Sequence, residues 1–376
     1  MEHYLDNSAT TRVCPEAAEA AMKAMLESYG NPSSTHTKGR EAKKLLDTAR
    51  KQLADALGCK LNEIYFTSCG SESDNWAIIG GAESMARRGK HIITSAVEHD
   101  AVRKSMEELE RRGFDVTYLK PEKSGAVSVE AVENALRADT ILVSLMLVNN
   151  ETGAITDISA ISAMLKRRGS IALLHTDAVQ AFMKLSFTPK TLGADMISVS
   201  GHKLHAPKGI GALYIAPNVK LKPYIHGGAQ ENGLRAGTEA MPQIVAFGEA
   251  CRLAKQGFKE NSAHIAALRE MTVEKLSAGI PELVLIPGGA SHILSISMPG
   301  WRSEVLMNFL EAKDIYVSRS SACKKGGRSH VLEAMGLDAK VIDGAIRIGL
   351  CRYNTDEDIE ALVEALGDAR NTLAHR

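Results

Sequence analysis

The sequence predicts an α/β protein with a mainly parallel sheet flanked by helices and a smaller α+β domain. Three observations support this prediction. Strand-like and helix-like patterns alternate from about residue 15 to residue 250. The strand-like runs are apolar on both faces, as is typical of a parallel sheet covered by helices on both sides. Beyond residue 250 the alternation gives way to two long helical stretches, two strand-like runs and a closing helix from about residue 356.

Chain length and the change of pattern near residue 250 indicate two domains. At 376 residues the chain is long for a single ordinary core. We predict a large domain over residues 15–252. Residues 1–14 and 253–376 are predicted to form the smaller α+β domain, which would carry the glycine-rich segment around Cys323.

The elements of the large domain follow from residue spacing. Pro15 is placed to open a helix, where its missing N–H costs least. A helix-like stretch from Arg40 ends at Gly58. Further helices are predicted over 74–88, 100–112, 128–137 and 157–168. The predicted strands are EIYFT (63–67), HIITSA (91–96), FDVTYL (114–119), TILVSLML (140–147), IALLHTD (171–177) and DMISVS (195–200).

Composition excludes several function classes. The 45 Lys and Arg residues balance the 45 Asp and Glu residues, so nothing global points to nucleic acid or an anionic membrane surface. No run approaches the roughly 18 apolar residues of a membrane span, and the N-terminus MEHYLDNSAT lacks the pattern of a signal peptide. The six cysteines form no CxxC pair and no zinc-site spacing. We therefore expect a cytoplasmic protein with free thiols and no metal site.

Ligands of open α/β sheets bind beyond the carboxyl ends of the strands, and several predicted strands end in polar residues. After EIYFT, Gly70 and Ser71 would offer N–H groups and a hydroxyl at a helix start, which suits phosphate. An ordinary loop with a serine cap is the alternative. His99 follows HIITSA and could equally be a structural hydrogen-bonding residue. The run that contains Asn150 is by itself only a turn.

The two remaining strand ends carry a carboxylate and an amine. Asp177 closes an apolar strand, where a protonated pyridine nitrogen or an arginine could pair with it. Lys203 lies in SGHK at the end of DMISVS and could form an imine, although a surface lysine is the alternative. A phosphate cradle, a carboxylate, a histidine and an imine-forming lysine are together what pyridoxal phosphate requires. The sequence therefore predicts this cofactor, with Lys203 as its Schiff-base residue.

Two further features lie in the C-terminal part. Cys323 has small, glycine-rich and basic neighbours, which favour an exposed thiol and its thiolate over a buried cysteine. Arg347 and Arg352 flank the run IGLC. An arginine there could bind a substrate carboxylate through two hydrogen bonds, or could form a surface ion pair.

The ordered motifs resemble those of the NifS/IscS-type cysteine desulfurases of the class V aminotransferase superfamily. The resemblance runs almost end to end, and its motifs are YLDNSATT, GNPSSTH, FTSCGSESDN, EH at 98–99, NNETG, HTDAVQ, SGHK, PKGIGALY, GGAQENGLRAGT, SSAC and RYNT. It implies the fold type I pyridoxal-phosphate architecture. It also implies conversion of L-cysteine to L-alanine, with the sulfur transferred to Cys323 as a persulfide.

The resemblance also implies residue roles. Lys203 would form the Schiff base, Asp177 would pair with the ring nitrogen and Gln180 with the ring hydroxyl, and His99 would stack on the ring and move protons. Asn150 would lie beside cofactor and substrate, Arg352 would bind the substrate carboxylate, and Cys323 would be the nucleophile. The phosphate would be held by Gly70, Ser71, Ser200 and His202, with Thr238 reaching it from the other subunit of a homodimer with shared active sites.

The sequence departs from the family pattern in a few places. Ser71 stands for a frequent threonine, Ala206 and Cys351 for frequent glycines, and Arg319 and Ser320 for small residues. The segment from Cys323 to Val331 is shorter than in long-loop members, which limits how far the cysteine could travel. The sulfur acceptor is therefore open between an iron–sulfur scaffold and a tRNA-thiolation enzyme.

Other functions are consistent with parts of this pattern. A selenocysteine lyase, a cysteine lyase or an aminotransferase would share the cofactor site, but plain transamination has no need of the Cys323 thiol. A non-catalytic scaffold on the same fold would have little reason to keep Lys203, Asp177, His99 and Cys323 together.

Overall fold

The computed structural model describes residues 1–319 and 327–374. Its strands are β1 (His3–Tyr4), β2 (Ile64–Thr67), β3 (His91–Ser95), β4 (Asp115–Leu119), β5 (Thr140–Ser144), β6 (Leu173–Asp177), β7 (Met196–Ser200), β8 (Gly211–Ile215), β9 (Val284–Ile286), β10 (Ile293–Ser297), β11 (Ile315–Tyr316), β12 (Ser318–Arg319) and β13 (Ala345–Gly349).

The longer and shorter helices alternate with these strands through the first part of the chain. They are α1 (Pro15–Leu26), α2 (Thr37–Leu57), α3 (Gly70–Asn75), α4 (Gly81–Met85), α5 (Asp100–Arg111), α6 (Val129–Ala135), α7 (Ile158–Arg167), α8 (Pro189–Leu192), α9 (Met241–Gln256), α10 (Phe258–Gly279), α11 (Ser303–Glu311), α12 (His330–Ala334), α13 (Ala339–Asp343) and α14 (Asp356–Thr372).

The main sheet has the strand order β2-β8-β7-β6-β5-β3-β4. The run from β7 to β4 is parallel, while β8 is antiparallel to both β2 and β7. Strands β3, β5 and β7 are buried along their whole length, as expected for a sheet that helices cover on both faces. The predicted α/β class with a mainly parallel sheet is confirmed.

Strand β8 was not predicted from the sequence. Its residues GALYI follow the glycine-rich stretch after Lys203, which reads as a loop in the sequence. Strand β8 pairs with β2 and β7, and Gly211 allows its backbone to approach the turn between β2 and α3, where an added Cβ would lie 2.6 Å from the carbonyl carbon of Cys69. Strand β8 thereby connects β7 to β2.

Local signals explain where most helices begin and end. Pro15 occupies the first turn of α1. Helix α2 ends at Gly58, which has a φ of 78° and adopts the left-handed conformation that glycine tolerates best. The single helix predicted over 74–88 is instead divided into α3, a π-helical stretch at Trp76–Gly80, and α4. The Trp76 side chain is fully buried, and its burial accompanies the change in winding.

The C-terminal part forms a second, antiparallel sheet with the order β12-β13-β10-β9. Strand β1 pairs in parallel with β11, and Leu5 lies in the hydrophobic cluster of this part, with residues of β10, β13 and α14. The N-terminal segment thus joins the C-terminal part. Within the described residues, no helix is long and apolar enough to cross a membrane.

Candidate active site

A cavity of about 280 Å³ lies beyond the carboxyl ends of β3, β5, β6 and β7. This is the edge where open α/β sheets bind ligands. Nine of the residues expected to hold the cofactor line it together: Gly70, Ser71, His99, Asn150, Asp177, Gln180, Ser200, His202 and Lys203. These residues come from separate strand ends, so the parallel sheet is what brings them to one place.

Lys203 lies in the short 3₁₀ turn that follows β7. Its Nζ donates to the backbone oxygens of Ser8, at 2.7 Å, and Ala9, at 2.6 Å. Burial and the positive charge of Arg347 lower the pKa of Lys203 to about 7, against the opposing effect of Asp6 and Asp177. An amine with this pKa is substantially neutral near neutral pH and is therefore a competent nucleophile toward an aldehyde.

Asp177 is the last residue of β6, and its side chain lies almost wholly out of solvent. Its Oδ1 accepts from the backbone N–H of Val179 at 2.9 Å. Burial raises the pKa of Asp177, while His99, the Val179 N–H and Lys203 act to lower it. Burial deprives this carboxylate of the water that would stabilise its charge. A protonated ring nitrogen beside it would supply that stabilisation, so Asp177 is suited to pair with one.

The turn between β2 and α3 forms one wall with the properties of a phosphate cradle. A Cβ added to Gly70 would lie 2.8 Å from Cγ2 of Val179 and 3.4 Å from Cβ of Ser200. The buried Ser200 hydroxyl has no hydrogen-bond partner in the described part of the chain. Burial lowers the pKa of His202 to about 4, so its ring is neutral. A bound phosphate group would supply the acceptor that Ser200 lacks, so these residues fit pyridoxal phosphate.

His99 and Gln180 are oriented by backbone contacts. Nδ1 of His99 accepts from the backbone N–H of Ala101 at 3.1 Å, where it caps the start of α5. Nδ1 acts as the acceptor in this contact, which leaves Nε2 as the ring nitrogen that carries the N–H. Nε2 of Gln180 donates to the backbone oxygen of Ser8 at 2.9 Å. The backbone oxygens of Ser8 and Ala9 thus hold two cavity residues, a role that left no side-chain signal in the sequence.

The arginine that lines the cavity is Arg347, and Arg352 is not among the described lining residues. Arg347 is 3% exposed and donates to the backbone oxygen of Asn150 at 2.7 Å and to Asp6 at 3.0 Å. Its Nε has no partner among residues 1–319 and 327–374. Arg352 instead donates to the Tyr353 hydroxyl at 2.9 Å. A charged residue in the middle of the apolar run AIRIG was the sequence signal for Arg347.

Thr238 and Cys323 stand apart from the cavity residues for different reasons. Thr238 is exposed and is not among the described residues that line the cavity, as expected of a residue that would serve another subunit. Cys323 lies in residues 320–326, outside the described residues.

The described residues that follow Cys323 contact the turn after β5, which contains Asn150 and Glu151. The Ser329 hydroxyl donates to Glu151 and also caps the start of α12. Burial raises the pKa of Glu151 to about 7, against the lowering effect of Ser329 and Arg347. The contact holds Ser329, six residues after Cys323 in the sequence, against Glu151, which follows the cavity residue Asn150.

Known proteins resemble this chain over nearly its whole length. The family Aminotransferase class-V matches residues 3–362. A protein of Methanosarcina thermophila named cysteine desulfurase IscS is 44% identical over 368 residues, which cover 96% of this chain and 90% of that protein. A structure titled NifS-like protein superposes with a TM-score of 0.94 at 38% identity and covers 99% of this chain and 100% of its own. A structure titled SspA in complex with cysteine has a TM-score of 0.83 at 35% identity and covers 94% and 100%.

Proposed function

The chain belongs to the class V aminotransferase family, and we propose that it is a pyridoxal-phosphate-dependent cysteine desulfurase. It converts L-cysteine to L-alanine and transfers the sulfur to Cys323 as a persulfide. The observation that carries the proposal is the single cavity in which Lys203, Asp177, His99 and an unpartnered Ser200 hydroxyl meet. Relatives named cysteine desulfurase, and a similar structure titled as a complex with cysteine, support the choice of substrate.

The cavity residues divide the work of holding the cofactor. Lys203 would bind it covalently through its neutral amine, Asp177 would face the ring nitrogen and Gln180 the ring hydroxyl. The residues that would hold the phosphate are those of the cradle and of the turn after β7, which are Gly70, Ser71, Ser200 and His202. When bound, pyridoxal phosphate supplies an electron sink for the bonds at the Cα of an amino acid.

Three side chains act on the substrate. The Lys203 amine lines the cavity and, with its lowered pKa, would serve as the base for the Cα proton of the substrate. His99 lines the cavity, and its Nε2, which is not used to cap α5, can exchange a proton there. Arg347 rather than Arg352 binds the substrate carboxylate, because it is buried against the cavity and retains an unused Nε–H donor.

The sulfur transfer requires only the Cys323 thiolate, the substrate and one proton. The Cys323 thiolate attacks the sulfur of the substrate, the carbon–sulfur bond of the substrate breaks and a sulfur–sulfur bond forms. A proton is added to the substrate carbon, so cysteine leaves as alanine and Cys323 retains one additional sulfur atom. No external oxidant is needed, because the new sulfur–sulfur bond is offset by reduction of the substrate carbon.

The active unit is a homodimer in which Thr238 contacts the phosphate of the other subunit. Thr238 lies on the surface. Helix α1 carries Met22, Met25 and Leu26 at helical spacing, each at least half exposed, with exposed Tyr29 just beyond it. An apolar face of this kind favours burial against a second copy.

The persulfide is delivered in the cytoplasm to an acceptor protein, either an iron–sulfur scaffold or a tRNA-thiolation enzyme. Neutral net charge argues against direct binding of nucleic acid. The cofactor domain spans residues 15–252, and residues 1–14 with 253–376 form the smaller domain. Leu5 in the C-terminal hydrophobic cluster supports this division.

The decisive test compares Cys323→Ser with Cys59→Ser. Cys59 is not among the described residues that line the cavity, and burial raises the pKa of its thiol to about 12, so Cys59→Ser is a matched control. We expect Cys323→Ser to keep the visible absorbance of the bound cofactor and to lose sulfide production from L-cysteine with a reductant. Cys59→Ser should keep both. Undiminished sulfide production by Cys323→Ser would exclude the persulfide route and favour a lyase.

A further inference from the structure

A second buried carboxyl group, that of Asp74, lines the same cavity as Asp177. Asp74 belongs to α3, which contacts β7, whereas Asp177 ends β6. Asp74 is 1% exposed, and its Oδ1 has no hydrogen-bond partner in the described part of the chain. The steps proposed above make no use of this group.

Polar side chains of neighbouring strands lie beside Asp74 and Asp177. His175 and Asp177 are two residues apart on β6, so their side chains lie on the same face of the sheet. Ser198 on β7 is the register partner of Asp177. Nε2 of His175 lies 2.9 Å from Oγ of Ser198 and 3.6 Å from Oδ1 of Asp74, and its Nδ1 lies 2.8 Å from Oγ of Ser144.

Asp74 and Asp177 are 1% and 6% exposed in one cavity, so a charge on Asp177 disfavours a second charge on Asp74. The charges around them decide which one is neutral. Burial, and then the charge of Asp177, raise the pKa of Asp74, with Glu98 and Cys69 acting in the same direction. Only the Ser198 hydroxyl opposes them.

The surroundings of Asp177 differ, because they contain groups that stabilise an anion. His99, the Val179 N–H and Lys203 all favour its charged form. His175 does not compensate Asp74, because burial lowers the pKa of His175 to about 3 and leaves the ring neutral. Asp177 Oδ1 accepts from the Val179 N–H, whereas Oδ1 of Asp74 has no partner in the described part of the chain, so these contacts favour the proton on Asp74 and the charge on Asp177.

We propose that Asp74 is a positioning residue of the ring-nitrogen site. It holds the one proton that the two buried carboxyls share and so leaves Asp177 as the carboxylate that faces the cofactor. The identity of the group facing Asp177 rests on the proposed function. The protonation of Asp74 does not, and it can be measured on protein that contains no cofactor.

The first test is infrared difference spectroscopy of cofactor-free protein near neutral pH. Wild type minus Asp74→Asn should show the C=O stretching band of a protonated carboxylic acid. In Asp177→Asn the same band should titrate at least about one pH unit lower, because the neighbouring negative charge is gone. A carboxylate signature for Asp74 in the wild type, or an unchanged titration in Asp177→Asn, would overturn the proposal.

Glu98→Gln is the matched control for band assignment. Burial raises the pKa of Glu98 to about 8, so it should contribute a separate protonated band. Aspartate labelled with ¹³C in wild-type protein identifies the aspartate band without any substitution, which covers the case in which Asp74→Asn does not fold. Absence of an aspartate carboxylic acid band from labelled wild type would contradict the proposal by itself.

The second test uses protein reconstituted with pyridoxal phosphate. Asparagine resembles a protonated aspartate, so Asp74→Asn should change the cofactor dissociation constant by less than about threefold and keep the pH profile of the visible absorbance. Asp177→Asn should weaken binding by about tenfold or more. If Asp74→Asn instead behaves like Asp177→Asn, Asp74 carries the charge. A protein that binds no pyridoxal phosphate would refute the proposed function but leave the infrared result standing.

Discussion

Charge placement at single residues explains how the cavity is prepared for its cofactor. Burial and the positive charge of Arg347 lower the pKa of Lys203 to about 7, although two backbone oxygens accept hydrogen bonds from its Nζ. Burial raises the pKa of Asp177, and His99, the Val179 N–H and Lys203 oppose that rise. The pKa of Lys203 is thus lowered and that of Asp177 raised, so both are shifted toward neutral pH within a single cavity. Displacements of this kind are typical of catalytic sites.

The lowered pKa of Lys203 predicts that the rate of imine formation changes with pH near neutrality. Below its pKa the amine is protonated and cannot attack an aldehyde, and above it the neutral form reacts. We expect the rate at which cofactor-free protein binds pyridoxal phosphate to rise with pH and to be half-maximal near 7. Stopped-flow absorbance measures this rate, with Lys203→Ala as the control that forms no imine. A half-maximum near pH 10, the ordinary range of lysine, would contradict the assignment.

The positions of the two arginines predict opposite effects of substituting them. Arg347→Lys should raise KM for L-cysteine and lower kcat/KM by about 10- to 100-fold, because lysine cannot reproduce a bidentate contact with a carboxylate. Arg352→Lys should change kcat/KM by less than about threefold. Steady-state kinetics on both variants, with melting temperatures to detect loss of folding, decide between them. The reverse pattern would restore Arg352 as the carboxylate-binding residue.

Secondary-structure elements carry the cavity residues to one edge, and the sequence signals for them differed in strength. Apolar runs ending in polar residues predicted β3, β5, β6 and β7 and placed His99, Asp177 and Lys203 at their ends. Strand β8 was missed because its residues follow a glycine-rich stretch. The π-helical stretch after α3 was missed because it depends on the packing of Trp76, which is a tertiary effect.

The turn between β2 and α3 predicts a specific effect of a single methyl group. Gly70→Ala would place a Cβ 2.8 Å from Cγ2 of Val179, inside the cradle. We expect the dissociation constant of pyridoxal phosphate to rise about tenfold or more, with a change of only about 1–3 kcal/mol in the free energy of unfolding. Gly367→Ala in α14 meets no atom within 4 Å and is the control. Unchanged cofactor binding by Gly70→Ala would show that the phosphate lies elsewhere.

At the scale of the whole molecule, the two parts of the chain meet at the cavity. Arg347 of the C-terminal sheet contacts Asn150 in the turn that follows β5, and the N-terminal segment contributes the oxygens that accept from Lys203. The alternation of strand-like and helix-like patterns in the sequence predicted the class of fold. The sequence could not distinguish Arg347, which lines the cavity, from Arg352, which is not among the described lining residues, because that difference depends on tertiary packing. It also could not identify Ser8 and Ala9, which act through backbone atoms.

A homodimer with shared sites predicts recovery of activity in mixed dimers. Thr238→Val should weaken cofactor binding, and Lys203→Ala should abolish imine formation. In a dimer of one subunit of each kind, the subunit that retains Lys203 receives an intact Thr238 from its partner. We expect this site to bind pyridoxal phosphate as tightly as the wild type. Failure to recover tight binding, with mixed dimers confirmed by mass, would show that Thr238 does not act across subunits.

The central claim is that Lys203 activates cysteine and Cys323 takes its sulfur. Mass spectrometry of peptides, after L-cysteine is added without a reductant, tests it most directly. We predict that the peptide with Cys323 gains the mass of one sulfur atom as an equal amount of alanine forms, and that Lys203→Ala shows neither. Alanine formation with the additional sulfur absent from Cys323, or carried by another cysteine, would contradict the account.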